Sequence, residues 1–534
     1  GNFCGTTSAG GSGGGGTIFR LNTASELNFT QQPGDRSVSA GANALFHSVA
    51  SGETSLGYQW YFNGTAILNA TNPDLAVANA QLTNAGNYTV IVTNFSGSIT
   101  SWVATLQVDP TFTKVTTGDM VTEIGTGSCT AWGDYDNDGF IDLALTSGFD
   151  SSNRTAQKNV LYHNNQDGTF TKVTNAITSI AQDWRGCSWA DYDNDGYLDF
   201  FAVANDADGF AGGDYLFHNN GDGTFTPITA KNISGVFVTK ASESEGPAWA
   251  DYDRDGFVDL YIAKYGMDWF YRNNGDGTFT QLTNATVGLV PDNQDSYNAM
   301  WSDYDNDGWP DLFVGVKDDS GLNQTNFLYH NQGNGTFSRV LSGSIATDND
   351  YSIACVWGDY DNDGHPDLFV TSGVTKNGTN VLYHNNGDGT FTRMSNTAVG
   401  SLVSDVSWFT HATWSDYDND GYLDLFVSTD TGSGGGEVPN PIHSNFLYHN
   451  NGDGTFTRVK TGSIVNDVGL SYGCAWGDYD NDGFLDLFVA RGSDAFPATN
   501  LLYHNNGNSN SWIRLKLIGT VSNRSAIGAK VRVK

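Results

Sequence analysis

From about residue 130 to 505, short apolar runs alternate with clusters of carboxylates, asparagines and glycines. "DLFV" (367–370) is typical: it follows "DYDNDGHP" (359–366) without a break. A continuous apolar run of this length, bounded by turn residues, predicts a strand buried on both faces. Each unit then carries a variable loop and a second apolar strand such as "NVLYHNN" (159–165). A Gly-Asp-Gly-Thr turn (387–390 in one copy) and a strand such as "FTKVT" (170–174) complete it. Asn-Gly and Asp-Gly between alternating runs are strong hairpin signals. With a tryptophan-bearing strand before the acidic loop, the unit has four strands, the number in a propeller blade.

The acidic segment occurs seven times, beginning at Asp134, Asp191, Asp251, Asp303, Asp359, Asp416 and Asp478. A tryptophan stands two residues before each: Trp132, Trp189, Trp249, Trp301, Trp357, Trp414 and Trp476. A period of about 50–60 residues marks a propeller or solenoid. "TFTKVT" also occurs at 111–116, ahead of the first acidic loop, while the last unit ends at "NLLYHNNGNSN" (500–510) without its own outer strand. The spare strand therefore completes the last unit and joins the two ends of a ring, which removes sheet edges. The expected fold is all-β, a seven-bladed β-propeller over 110–507.

Residues 27–109 follow another pattern. "LGYQWYFNG" (56–64) and "NAGNYTVIVTN" (84–94) resemble an immunoglobulin-like β-sandwich, with Trp60 as its buried tryptophan and Tyr88 as its corner tyrosine. Ser48 and Val90 stand where that family has cysteines, so no inter-sheet disulfide is expected. Residues 1–26 are Gly-rich and read as a linker or the tail of an upstream repeat. Residues 508–534 alternate with period two and read as a partial β segment. The chain begins at Gly1 and reads as processed or excerpted.

Composition narrows the partners. Among 534 residues the net charge is −34, with 13% aromatics, enough for sizeable cores despite the acidity. Such a surface argues against nucleic acid and anionic membranes and in favour of cations. No apolar run reaches the length of about 18 residues needed for a membrane span. Five cysteines at wide spacing (Cys4, Cys129, Cys187, Cys355, Cys474) do not form a disulfide framework. Cys187, Cys355 and Cys474 read as small core thiols. Sequons at Asn63, Asn87, Asn153, Asn232, Asn284 and Asn377 fit an extracellular glycoprotein.

The acidic loop has its own chemistry. Asp134-x-Asp136-x-Asp138-Gly139-x-x-Asp142 offers carboxylates at positions 1, 3, 5 and 9 and a backbone carbonyl at position 7, with a glycine for the sharp turn. This is the first half of an EF-hand loop, closed early and without flanking helices. Hard oxygens in this number suit Ca²⁺, whereas Mg²⁺ demands tighter octahedral geometry and Zn²⁺ prefers His or Cys. The equivalent residues are Asp191, Asp193, Asp195 and Asp199; Asp251, Asp253, Asp255 and Asp259; Asp303, Asp305, Asp307 and Asp311. Then come Asp359, Asp361, Asp363 and Asp367; Asp416, Asp418, Asp420 and Asp424; Asp478, Asp480, Asp482 and Asp486. Repulsion among four carboxylates is relieved by a cation, which makes metal binding part of folding. About seven Ca²⁺, one per blade, are expected.

These units resemble FG-GAP/VCBS repeats, the blades of integrin-alpha-like propellers, and the resemblance implies calcium held between the first two strands of each blade. "NRSAIGAKVRV" (523–533) resembles the beginning of an ASPIC/UnbV domain. The repeated "LYHNN" histidines (His163, His218, His330, His384, His449, His504) read as structural, because Arg272 takes the seventh position. No catalytic constellation stands out, since acids repeated sevenfold serve architecture. Loops 181–186, 205–214, 239–246, 317–325, 406–411 and 429–441 are expected opposite the acidic loops, where a ligand would bind. Trp184, Phe210, Trp408 and Phe409 are their candidate anchors, or else core caps.

The main reading is a secreted, calcium-stabilised, non-catalytic adhesion or binding protein whose partner is an extracellular protein or a glycan. The alternatives are a self-assembling fibre or matrix subunit joined through its terminal strands, and a carbohydrate-binding propeller.

Overall fold

The computed structural model describes residues 3–6, 18–21, 26–40, 42–53, 55–148, 155–205, 213–228, 244–290, 295–316, 325–349, 351–372, 379–430, 444–493 and 496–513. The ASPIC/UnbV-like stretch, Phe210 and most of loops 205–214, 239–246, 317–325 and 429–441 lie outside the described residues. Contacts divide the chain into two compact units, residues 1–111 with 461–463, and residues 112–460 with 464–534.

The first unit is an antiparallel sandwich. Gly57–Phe62 pairs with Gly86–Asn94, placing Trp60 opposite Val90. Alternation along Gly86–Asn94 buries Tyr88, Val90 and Val92 and turns the residues between them outward. Trp60, Phe46 and Tyr88 form the aromatic centre, with the Phe46 and Tyr88 rings 4.7 Å apart. The Tyr88 hydroxyl donates to the Asn84 carbonyl at 2.9 Å, the link expected of a corner tyrosine. Ser48 is wholly buried and donates to Pro73 O, so a small polar residue fills one former cysteine position. The Gly-rich start is not only linker: Phe3–Thr6 pairs antiparallel with Ile18–Leu21, because an apolar stretch flanks the glycines on each side.

In the second unit, six four-stranded antiparallel sheets follow one another in sequence. The fifth is representative, with strands Ser352–Gly358, Asp367–Ser372, Val381–Asn385 and Phe391–Arg393. The second strand is buried along its whole length, whereas only Phe391 of the outer strand is buried. This is why the second strand reads as unbroken apolar sequence. The core lies between blades: Tyr252, Tyr261 and Phe270 of the third pack with Leu312, Phe327 and Phe337 of the fourth.

The expectation of seven blades is corrected here. Six blades stand as separate sheets. The remaining strands, Ser471–Gly477, Asp486–Ser493 and Leu501–Asn505, pair in that order within an eleven-stranded sheet. Residues 112–114 of Ala104–Lys114 pair with Tyr503–Asn505 in the same sheet. The physical reason is that Ala104–Lys114 is one unbroken strand whose earlier part pairs with Gly86–Asn94, so this set has no edge of its own. Its inner strand, Ser471–Gly477, lies against both Trp408–Ser415 and Gly127–Gly133.

Candidate metal centres

Each acidic loop joins the inner strand of a blade to its second strand, and its last aspartate opens that second strand, as Asp142 opens Asp142–Ser147. The loop backbone is wound by its own carboxylates. Asp134 Oδ1 accepts from Asp138 N at 3.0 Å and Oδ2 from Gly139 N at 3.2 Å, while Asp138 Oδ1 accepts from Phe140 N at 2.8 Å. Gly139 has φ 94°, a left-handed value that favours glycine, and Asn137 has φ 59°, which asparagine tolerates.

The ninth-position aspartates are the most buried; Asp142, Asp259, Asp311, Asp367, Asp424 and Asp486 are all at 0% exposure. Asp367 Oδ2 accepts from Tyr360 N, and Oδ1 from Asn385 N at 2.8 Å. Burial pushes the carboxyls of Asp142, Asp199 and Asp486 up to about 7 and those of Asp311 and Asp367 up to about 8, with the charge of the third-position aspartate adding to the effect. Burial raises Asp191 and Asp251 to about 6, again helped by their loop neighbours. By itself, therefore, the protein leaves these carboxylates poorly compensated.

The donor set passes a test of fit for a hard cation. Asp251 Oδ1, Asp253 Oδ1, Asp359 Oδ1 and Asp418 Oδ1 are buried oxygens that receive no hydrogen bond. A buried acceptor without a donor is costly, and a divalent cation ligated by such oxygens removes that cost.

The histidines change role. His163 Nδ1 lies 3.3 Å from Asp136 Oδ2 and 3.2 Å from Asp142 Oδ1. His218, His330, His384, His449 and His504 repeat this approach to the third- and ninth-position carboxylates. Hydrogen bonding to the ninth-position carboxylate raises His218, His449 and His504 above the ordinary imidazole value. The sequence reading treated these residues as strand-end structure. Their fixed place in every "LYHNN" was the available signal, and only the fold shows what they face.

Sequence reasoning also missed the ties between neighbouring loops. The first asparagine of each "HNN" is buried, and its amide donates to the second-position tyrosine carbonyl of the preceding loop. Examples are Asn219 to Tyr135 O at 2.8 Å and Asn385 to Tyr304 O at 2.7 Å. Asn164 donates to Tyr479 O at 2.7 Å, linking the first loop to the last. The fourth-position asparagine donates forward, as Asn362 does to Gly421 O and Asn481 to Gly139 O. Tryptophans add Trp189 to Ala131 O and Trp132 to Ala475 O.

The proposed ligand anchors fare differently. Trp184 and Phe409 are fully buried and belong to the core, Trp184 opening the strand Trp184–Ala190. Residues 181–186 are therefore mostly strand, not loop. Trp408 is partly buried in the strand Trp408–Ser415.

The FG-GAP-like repeat model matches residues 134–202, 201–262, 251–314, 303–370, 359–427 and 433–489, and the immunoglobulin I-set model matches 27–108. Among curated proteins, cartilage acidic protein 1 of Mus musculus is 27% identical over 198 residues, covering 36% of this chain and 29% of that protein. Integrin alpha-7 of Homo sapiens is 31% identical over 142 residues, covering 25% of this chain and 12% of that protein. The alignments thus span under a third of either relative. Among solved structures, titin M4 aligns over 17% of this chain and 99% of its own, with 23% identity and a TM-score of 0.15. The FG-GAP-like matches extend over more than half of the sequence, and the chain belongs to the FG-GAP repeat family.

Proposed function

We propose that the chain is a non-catalytic extracellular binding protein whose acidic loops are structural Ca²⁺ sites. The 28 aspartates named above would supply the side-chain oxygens. The observation that carries this reading is the set of buried carboxylate oxygens, Asp251 Oδ1, Asp253 Oδ1, Asp359 Oδ1 and Asp418 Oδ1, that the protein leaves without donors. Calcium would supply positive charge at the point where each loop is tied to the next by its asparagine amides. Its role is thus to hold blades in register, not to act on a substrate.

We also read the pairing of residues 112–114 with Tyr503–Asn505 as closing the ring. The links from Asn164 to Tyr479, Asn481 to Gly139 and Trp132 to Ala475 support this closure, since each joins the last loop or strand to the first. On this reading the boundaries are a sandwich at 27–109 and a ring at 110–507. Relatives named for cartilage and for integrin, and repeated FG-GAP matches, support an extracellular setting. No helix among the described residues is long and apolar enough to cross a membrane. Trp184 and Phe409, both buried, are lost as anchors for a glycan or a protein partner.

Equilibrium dialysis of the full chain against Ca²⁺ tests the proposal. Saturable uptake of several ions per chain, reduced by one in Asp367→Asn, is expected; no uptake above that of a calcium-free control protein would sink it.

A further inference from the structure

The third acidic loop differs from the other six in the side chain that faces it. Where the others have histidine, Arg272 reaches in, its Nε donating to Asp253 Oδ2 at 2.5 Å and its Nη2 to Asp255 Oδ2 at 2.8 Å. The same loop has Arg254 at its fourth position, where the others have asparagine, and Arg254 lies over the Trp309 ring at 5.1 Å. A guanidinium is a permanent cation that grips two carboxylates in a fixed fork. An imidazole carries that charge only when protonated.

We infer that Arg272 is a tethered counter-charge which makes the loop 251–259 the weak calcium site of the molecule. The inference rests on the calcium reading above. Arg272 already neutralises part of the charge of Asp253 and Asp255, so a divalent ion entering this loop gains less than in the other six. The loop is not closed to a cation. Asp251 is 6% exposed, and its Oδ1, like Asp253 Oδ1, is buried without a donor. The arginine engages Oδ2 oxygens and leaves these two free to ligate. Affinity is therefore lowered, not abolished, by roughly tenfold to a hundredfold, the scale on which groups bonded to metal ligands act. The third blade in turn keeps its loop ordered at calcium concentrations that empty its neighbours.

The test is a count of retained Ca²⁺ in the full chain. The protein is stripped with chelator, equilibrated at a free Ca²⁺ concentration chosen to fill only tight sites, and measured by plasma mass spectrometry. Folding is checked by circular dichroism. Six ions are expected in the wild type, seven in Arg272→His and five in the reciprocal His384→Arg. Seven tight ions in the wild type, or His384→Arg retaining the wild-type number, would overturn the inference while leaving the calcium reading intact. Retention of none by the wild type, with none acquired at millimolar Ca²⁺, would overturn the calcium reading itself. Should Arg272→His fail to fold, the wild-type count and His384→Arg still decide the matter.

Discussion

The sandwich and the propeller solve the same problem, holding β-sheets face to face, by opposite means. In the sandwich, Trp60, Phe46, Tyr88 and Val90 form one apolar centre, and the positions that could carry a disulfide hold Ser48 and Val90. In the propeller the apolar core lies between neighbouring blades, and the acidic loops are tied to one another by asparagine amides that donate to backbone carbonyls. One region rests on burial and a few neutral hydrogen bonds; the other adds charge that its own side chains balance poorly. On the proposed calcium reading, the repeat concentrates its electrostatic cost in the acidic loops and its stability depends on an ion.

Chelation should separate the two regions most strongly. Each site filled to about a hundred times its Kd adds about 2.7 kcal/mol, so emptying several lowers the propeller transition by about 10 °C or more. Scanning calorimetry should show that transition moving while the sandwich transition stays. A common shift of both would break the comparison.

Trp60→Ala attacks the other side. Loss of a fully buried tryptophan costs about 3–5 kcal/mol, and the sandwich transition should fall while calcium uptake is unchanged. A reduced uptake would show that the two regions are energetically one.

pH sharpens the contrast further. In the metal-free protein Asp311 and Asp367 titrate near 8, and Asp142, Asp199 and Asp486 near 7, all above their unfolded values. The folded form therefore binds more protons, and metal-free propeller stability is greatest at low pH and declines as pH rises through 7–8. With Ca²⁺ present the decline flattens, since the ion displaces those protons, while uptake itself weakens as pH falls from 8 to 6. Melting curves with and without chelator should converge as pH falls across that window and separate as it rises. Parallel curves would contradict the account.

The smallest effect is expected of Tyr88→Phe, which loses one hydrogen bond to Asn84 O and about 1 kcal/mol from the sandwich alone. Urea unfolding read at Trp60 fluorescence would measure it.

Much of this was legible beforehand because it is local. An acidic loop followed by an apolar run fixes where a strand begins, as Asp367 does at Asp367–Ser372. Trp60 and Tyr88 marked the sandwich through their spacing and flanking alternation. Trp184 was misplaced because "AQDWRG" looks polar, yet its tryptophan turns inward from a strand end. The expected seven blades failed on one strand, Ala104–Lys114, whose apolar pattern carries no sign that it pairs with Gly86–Asn94 as well as with Leu501–Asn505.

The sequence by itself thus determined the seven loops, their carboxylates, the four-strand unit and the immunoglobulin-like region, since each depends on residues within a few positions of one another. Tertiary structure alone decided which charges meet across strands. It set His384 beside Asp361 and Asp367, Arg272 across Asp253 and Asp255, and Asn164 against Tyr479. The partners in these pairs are about fifteen to three hundred positions apart, and only strand pairing within a blade, or for Asn164 the approach of the first blade to the last loop, brings their atoms within bonding distance.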